Sequence, residues 1–135
     1  MSFRKLLSAK IHRATVTEAD LDYEGSLTVP PELMEAAGIV PYEAIVVWNV
    51  TRGSRLETYA IEGRKNSSDI CANGAAAHLI FPGDRVILAV FQYYNEEDVK
   101  AHRPRLIFVD ENNKIKHTGP EIPGPERRST GQVAS

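Results

Sequence analysis

Short stretches in which apolar and polar positions alternate follow one another along most of the chain, separated by clusters of Gly, Pro, Asn and Asp. Alternation with a period of two predicts half-buried β-strands, and the clusters predict the turns between them. Residues 3–16 read as the first strand, with Lys10, His12, Ala14 and Val16 expected on one side and Ile11, Arg13 and Thr15 on the other. Residues 17–20 are expected to form a turn or a single helical turn, after which 21–23 run extended into Gly25 and Ser26. A short strand at 27–29 ends at Pro30 and Pro31, and Pro31 suits the first position of a helix with an apolar face of Leu33, Met34 and Ala37, with Gly38 just past its end. Residues 44–50 and 55–61 flank the turn sequence Thr51-Arg52-Gly53-Ser54 and predict a hairpin. A strand at 69–72 leads into a brief helix that Asn73 is placed to cap. Further strands are expected at 85–93 and 105–109, a helical turn at 95–100, and a turn at 111–114 before a last weak strand.

Many short strands with one or two short helices indicate a small mainly-β barrel. At 135 residues the chain suits one domain able to bury roughly two-thirds of its unfolded surface. We set that domain at residues 1–117. From 118 to 135 the Pro, Gly and Ser content removes the basis for a core and predicts a mobile tail. Sixteen basic against eighteen acidic residues leave a net charge of −2, which offers no general field for nucleic acid or an anionic membrane. The longest apolar run, 86–91, is far short of the ~20 residues a membrane span requires, and no signal-like stretch follows the first residues. Cys71 is the single cysteine, so no internal disulfide forms, in keeping with a reducing cytoplasm. There is no phosphate-binding glycine loop and no cysteine pair, and His12, His78, His102 and His117 lack metal-site spacing, so neither a metal nor a nucleotide is expected.

Candidate chemistry gathers at Tyr23-Glu24-Gly25-Ser26. Gly-Ser alone is a common turn pair. A serine hydroxyl can nevertheless attack the preceding carbonyl if the backbone bends there, and glycine bends with least steric cost. The amide becomes an ester, loss of the serine α-proton expels the upstream chain as a carboxylate, and hydrolysis of the remaining dehydroalanine leaves a ketone. Arg55 offers a guanidinium fork that matches a carboxylate, Lys10 is a second cationic candidate, and His12 stands near it in sequence. Tyr59 is a candidate acid, because an ordinary phenol stays protonated at neutral pH. Asn73-Gly74-Ala75-Ala76 combines an amide, a glycine for close backbone approach and unhindered backbone N–H groups, while Trp48 and Ile87 are candidates for the wall of a pocket. In a regular strand Arg55, Glu57 and Tyr59 share a face and Thr58 points the other way. Thr58 and Tyr59 therefore reach one pocket only if the strand is bulged or ends there, or if the site lies between subunits.

The motifs Lys10-Ile11-His12-Arg13, Asp22-Tyr23-Glu24-Gly25-Ser26, Trp48-Asn49-Val50-Thr51, Thr58-Tyr59-Ala60-Ile61 and Asn73-Gly74-Ala75-Ala76-Ala77-His78 occur in order. Through them residues 3–108 resemble the aspartate 1-decarboxylase family. The resemblance implies a double-psi β-barrel assembled as a homotetramer with sites between subunits, converting L-aspartate to β-alanine for pantothenate biosynthesis. It implies cleavage between Gly25 and Ser26 into a chain of residues 1–25 and one of 26–135, and a covalently bound pyruvoyl group made from Ser26 that forms a Schiff base with substrate, without pyridoxal phosphate. It further implies Tyr59 as proton donor, Thr58 as a cleavage and substrate contact, substrate binding by Arg55, Gly74, Ala75 and Ala76, and a polar role for Asn73 near the cleavage loop. A protein that assists maturation stays open among the partners. Two rival readings are an amide hydrolase that keeps Ser26 as a free N-terminal nucleophile, and a non-catalytic barrel that binds a peptide or nucleic acid.

Overall fold

A computed structural model describes residues 2–125; the greater part of the expected mobile tail, 126–135, lies outside the described residues. Alternation produces strands wherever one face can be buried, and the chain forms β1 (Phe3–Thr15), β2 (Glu18–Asp20), β3 (Ser26–Val29), β4 (Ala44–Asn49), β5 (Arg55–Glu62), β6 (Cys71–Asn73), β7 (Arg85–Asn95), β8 (Arg105–Val109) and β9 (Ile115–Gly119). Two short helices, α1 (Pro31–Ala37) and α2 (Glu96–Ala101), and a 3₁₀ helix at Gly74–His78 complete the described residues. The strands hydrogen-bond in the order β2-β6-β3-β5-β4-β7-β1-β8-β9. Three parallel pairs, β1 with β8, β2 with β6 and β3 with β5, are interspersed among antiparallel ones, and each joins segments distant in sequence. Ile11, Leu27, Val29, Ile45, Val47, Ile70, Ile80, Val86 and Leu88 fill the core, each contributing roughly 1.5–3 kcal/mol by leaving water.

α1 follows its local pattern. Pro31 occupies the first turn, Leu33, Met34 and Ala37 are buried, and Gly38 closes the helix at φ 73°, its N–H donating to the Glu35 carbonyl. A side chain at Gly38 would meet the movable end of Arg105 at 2.9 Å, so it is the positive φ that favours glycine there.

Three local expectations are corrected by long-range pairing. Residues 18–20 are a strand, because Thr17 is drawn to Ile70: its N–H donates to the Ile70 carbonyl at 2.8 Å and its Oγ1 accepts the Ile70 N–H at 3.0 Å. β2 then continues parallel to β6. The alternation expected along β1, imperfect in sequence, breaks between Ile11 and Ala14, where Arg13 takes φ 64° and a bulge forms. Both Ile11 and Ala14 are consequently buried, although strict alternation puts them on opposite faces. Residues 21–23 turn rather than run extended, with the Tyr23 N–H donating to the Asp20 carbonyl.

A buried amide fastens the end of β1. Asn113, at φ 61° in the turn between β8 and β9, accepts the Thr15 N–H through Oδ1 at 2.7 Å and donates from Nδ2 to the carbonyls of Thr15 at 2.9 Å and Ser68 at 2.8 Å. One side chain thus joins three segments far apart in sequence.

Candidate active site

Ser26 is the first residue of β3 and only 1% exposed. Its hydroxyl has no hydrogen-bond partner among the described residues, and its backbone stands at φ 140°. Each feature opposes stability: an unpaired buried hydroxyl costs about 1–3 kcal/mol, and a strained backbone about as much again. The sequence assigned the bend to Gly25, yet Gly25 is not among the positive-φ residues and nothing lies within 4 Å of where its Cβ would be. The strain sits on the serine itself.

Two neighbouring strands hold it there. Ser26 pairs with Asn73 on β6, and Leu27 pairs with Ala60 on β5, which brings Thr58 and Tyr59 to the level of the start of β3. Gly74 follows at φ 63°, and a Cβ there would fall 2.8 Å from the Gly25 Cα, 3.0 Å from its nitrogen and 3.1 Å from the Tyr23 carbonyl oxygen. The glycine lets the loop before Ser26 close onto the 3₁₀ helix. Gly74→Ala combines this clash with a backbone cost of roughly 1–2 kcal/mol. It is expected to displace the loop and leave most of the chain uncut on a denaturing gel; cleavage as fast and complete as in the unsubstituted protein would refute this role.

Asn73 does not cap the 3₁₀ helix. No side-chain cap is formed, and Nδ2 instead donates to Thr28 Oγ1 at 3.2 Å, because pairing with β3 aims the buried amide along the sheet. Ala75 is exposed and Ala76 is buried. A cleft of about 450 Å³ beside β3 is lined by Tyr23, Thr28, Asp69, Cys71 and Asn73 among others. Burial, followed by the charges of Glu18 and Asp69, pushes the Cys71 thiol up, which disfavours the thiolate.

Arg55, Tyr59 and Lys10 do not line that cleft. β5 pairs with β4 without a bulge from Trp48–Arg55 through Ala44–Tyr59, and continues three residues past Tyr59 to Glu62. Two of the three ways of bringing Thr58 and Tyr59 together are therefore closed. Thr58 faces the buried Ile45, whereas Tyr59 is 39% exposed with its ring centroid 6.3 Å from that of Tyr42. On the same outer face the Arg55 guanidinium lies 5.4 Å from the ring centroid of half-buried Trp48, which packs edge-on to Phe91; Ile87 pairs beside Trp48. Lys10, its side chain 13% exposed on β1, meets a carboxylate: Nζ is 2.7 Å from Glu121 Oε2. His12 packs edge-on to Phe108.

A second polar cluster escaped the sequence reading. Asp84, 2% exposed, accepts through Oδ2 from Asn49 Nδ2 at 2.8 Å, from the Phe81 N–H at 2.9 Å and from Arg52 Nε at 2.9 Å. Burial alone would raise this carboxyl, but the hydrogen bonds from Asn49, Phe81 and Arg52, with the Arg52 charge, outweigh it and hold Asp84 below the usual carboxylate range. Its stabilising contribution is therefore complete above the ordinary value of about 3.9 and lost as pH falls through the lowered one. The only local signals were a turn-forming Gly83-Asp84 and an Asn at the end of a strand, which any loop supplies.

Residues 2–116 match the family model described as Aspartate decarboxylase. The chain is 69% identical over 127 residues to the aspartate 1-decarboxylase of Rhodopirellula baltica, covering 94% of this chain and 81% of that protein. It is 59% identical over 128 residues to the aspartate 1-decarboxylase of Legionella pneumophila strain Lens, covering 95% and 96% of the two chains. With the Myxococcus xanthus aspartate 1-decarboxylase it shares 56% identity over 127 residues, covering 93% and 98%.

Proposed function

The chain belongs to the aspartate decarboxylase family and converts L-aspartate to β-alanine and carbon dioxide for pantothenate biosynthesis, and we propose that it does so with a pyruvoyl group made from Ser26 of its own backbone. The observation that supports this most is the state of Ser26: buried, strained, and with a hydroxyl that has no partner among the described residues, next to the bond to be cut. Those features fit a residue whose present form is a precursor.

In maturation Ser26 Oγ adds to the Gly25 carbonyl carbon, the C–N bond breaks and an ester replaces the amide. Thr58 donates its hydroxyl to the oxyanion that forms on the Gly25 carbonyl. Loss of the Ser26 α-proton then releases Gly25 as a carboxylate, and water converts the remaining enamine to a ketone with release of ammonia. Nucleophile, strain and scissile bond belong to one loop, so the reaction is intramolecular and its rate independent of protein concentration.

A pyruvoyl ketone at Ser26 would supply a carbonyl for the substrate amine and an electron sink for the departing carboxylate. The other roles fall to side chains and backbone. Arg55 and Lys10 hold the two carboxylates of aspartate, and the ion pair of Lys10 with Glu121 supports a carboxylate-binding role for that lysine. Backbone groups of Gly74, Ala75 and Ala76 line the substrate, His12 supports the charge near Lys10, and Trp48 keeps Arg55 on its face of β5. Tyr59 returns a proton to the carbon that has lost its carboxylate.

Because Arg55 and Tyr59 lie on the outer face of β5 and Thr58 on the other, we place each site between subunits of a homotetramer. Tyr59 of one subunit then serves Ser26 of the next, while Thr58 serves its own.

Denaturing electrophoresis with intact-mass measurement of purified protein tests this reading. Two chains are expected, one ending at Gly25 and one whose terminus is about 17 Da lighter than serine and carries no amine. A long chain that begins with intact serine would instead favour the amide hydrolase, and a single uncut chain that still makes β-alanine would exclude both.

A further inference from the structure

We propose that Asp84 is a positioning residue for substrate binding: its buried carboxylate clamps the strand start that carries Arg55 to the end of the 3₁₀ helix that presents residues 74–76. The inference rests on the reading that Arg55 and those backbone groups hold aspartate.

The clamp is continuous. Asn49, the last residue of β4, donates from Nδ2 to Asp84 Oδ2 at 2.8 Å and to the Leu79 carbonyl at 3.3 Å, while its Oδ1 accepts the Arg52 N–H at 3.1 Å. Ser54, immediately before Arg55, donates from Oγ to the same Leu79 carbonyl at 2.9 Å, and its own carbonyl accepts the Asn49 N–H at 2.9 Å. Leu79 closes the 3₁₀ helix, its N–H donating to the Ala76 carbonyl at 3.0 Å. Arg52 completes the cluster by placing Nε 3.1 and 2.9 Å from the two Asp84 oxygens and laying its guanidinium 4.4 Å from the Phe81 ring centroid. Both elements assigned to substrate are thus tied through Asn49 to one buried anion. β3 and β6, which hold Ser26, take no part in it.

This separation gives the inference its signature: the clamp meets Ser54 at the start of β5 and Leu79 at the end of the 3₁₀ helix, several residues from Tyr59 and Gly74, so loosening it weakens substrate binding more than cleavage or proton transfer. Asp84→Asn keeps the shape but leaves one acceptor oxygen where two had served donors from three residues. It is expected to be cut to completion and to show a KM for aspartate raised about tenfold with kcat within about threefold of the unsubstituted enzyme. Arg52, with a side chain 48% exposed, offers a milder change: Arg52→Ala is expected to raise KM about threefold, and Arg52→Lys, which retains the charge, to restore most of it. If Asp84→Asn does not fold, the Arg52 pair decides. KM unchanged in both Asp84→Asn and Arg52→Ala, or losses of kcat with KM unmoved, would overturn the inference. Ser26→Ala in the same series separates the two levels: an uncut, inactive Ser26→Ala beside an unmoved KM removes the clamp alone, whereas a Ser26→Ala enzyme that still turns over removes the reading beneath it.

Discussion

Ser26→Ala is expected to give a single uncut chain that makes no β-alanine. The substitution deletes the only atom that can attack the Gly25 carbonyl from within the loop, and with it the source of the ketone. Stability is expected to move the other way. The Ser26 hydroxyl is buried without a partner among the described residues, so its removal relieves a penalty of about 1–3 kcal/mol, while the strain at φ 140° stays because alanine meets the same steric limits. The variant should therefore unfold at the same temperature as the uncut parent or higher, which separates loss of chemistry from loss of fold. Electrophoresis, mass measurement, a β-alanine assay and a thermal melt read the four outcomes. Two fragments, or β-alanine from the uncut chain, would defeat the proposal for Ser26.

Tyr59→Phe is expected to be cut as fast as the parent yet to turn over about 10²–10⁴-fold more slowly, the usual range for loss of a positioned proton donor. The ring keeps its place beside Tyr42, and the half-exposed side chain carries no hydrogen bond in the core, so stability is expected to change by no more than about 0.5 kcal/mol. Binding is expected to hold, with KM little altered. The regular course of β5 sharpens the test. Tyr59 faces away from the buried side that Thr58 occupies, so a defect in turnover without a defect in cleavage matches a tyrosine that acts across a subunit boundary. A kcat within about threefold of the parent would remove Tyr59 from the reaction, and loss of cleavage would move it into maturation.

Much of the local architecture was legible. α1 was readable because a proline that opens a helix, an apolar face and a closing glycine all act within two turns of chain. The β4–β5 hairpin was readable for a similar reason, since its turn chemistry lies between two alternating segments. β2 was not: residues 18–20 are extended because Thr17 finds Ile70, more than fifty residues away. The bulge at Arg13 escaped because arginine is a poor candidate for φ 64°, and only closure of β1 against both β7 and β8 imposes it. Asp84 looked like any turn aspartate until Asn49, Arg52 and Phe81 were seen to converge on it.

Residue order alone determined that this is a mainly-β chain with a Gly25-Ser26 bond set among motifs of a decarboxylase family, because alternation, turn chemistry and motif identity depend on near neighbours. Only the tertiary structure decided that the strain falls on Ser26 rather than Gly25, that Gly74 must lack a side chain to seat that loop, and that Thr58 and Tyr59 part to opposite faces of an unbroken strand. The physical reason is common to all three: backbone strain, close approach and the pairing of buried polar groups arise when distant segments are forced to share one volume, and no segment carries that constraint by itself.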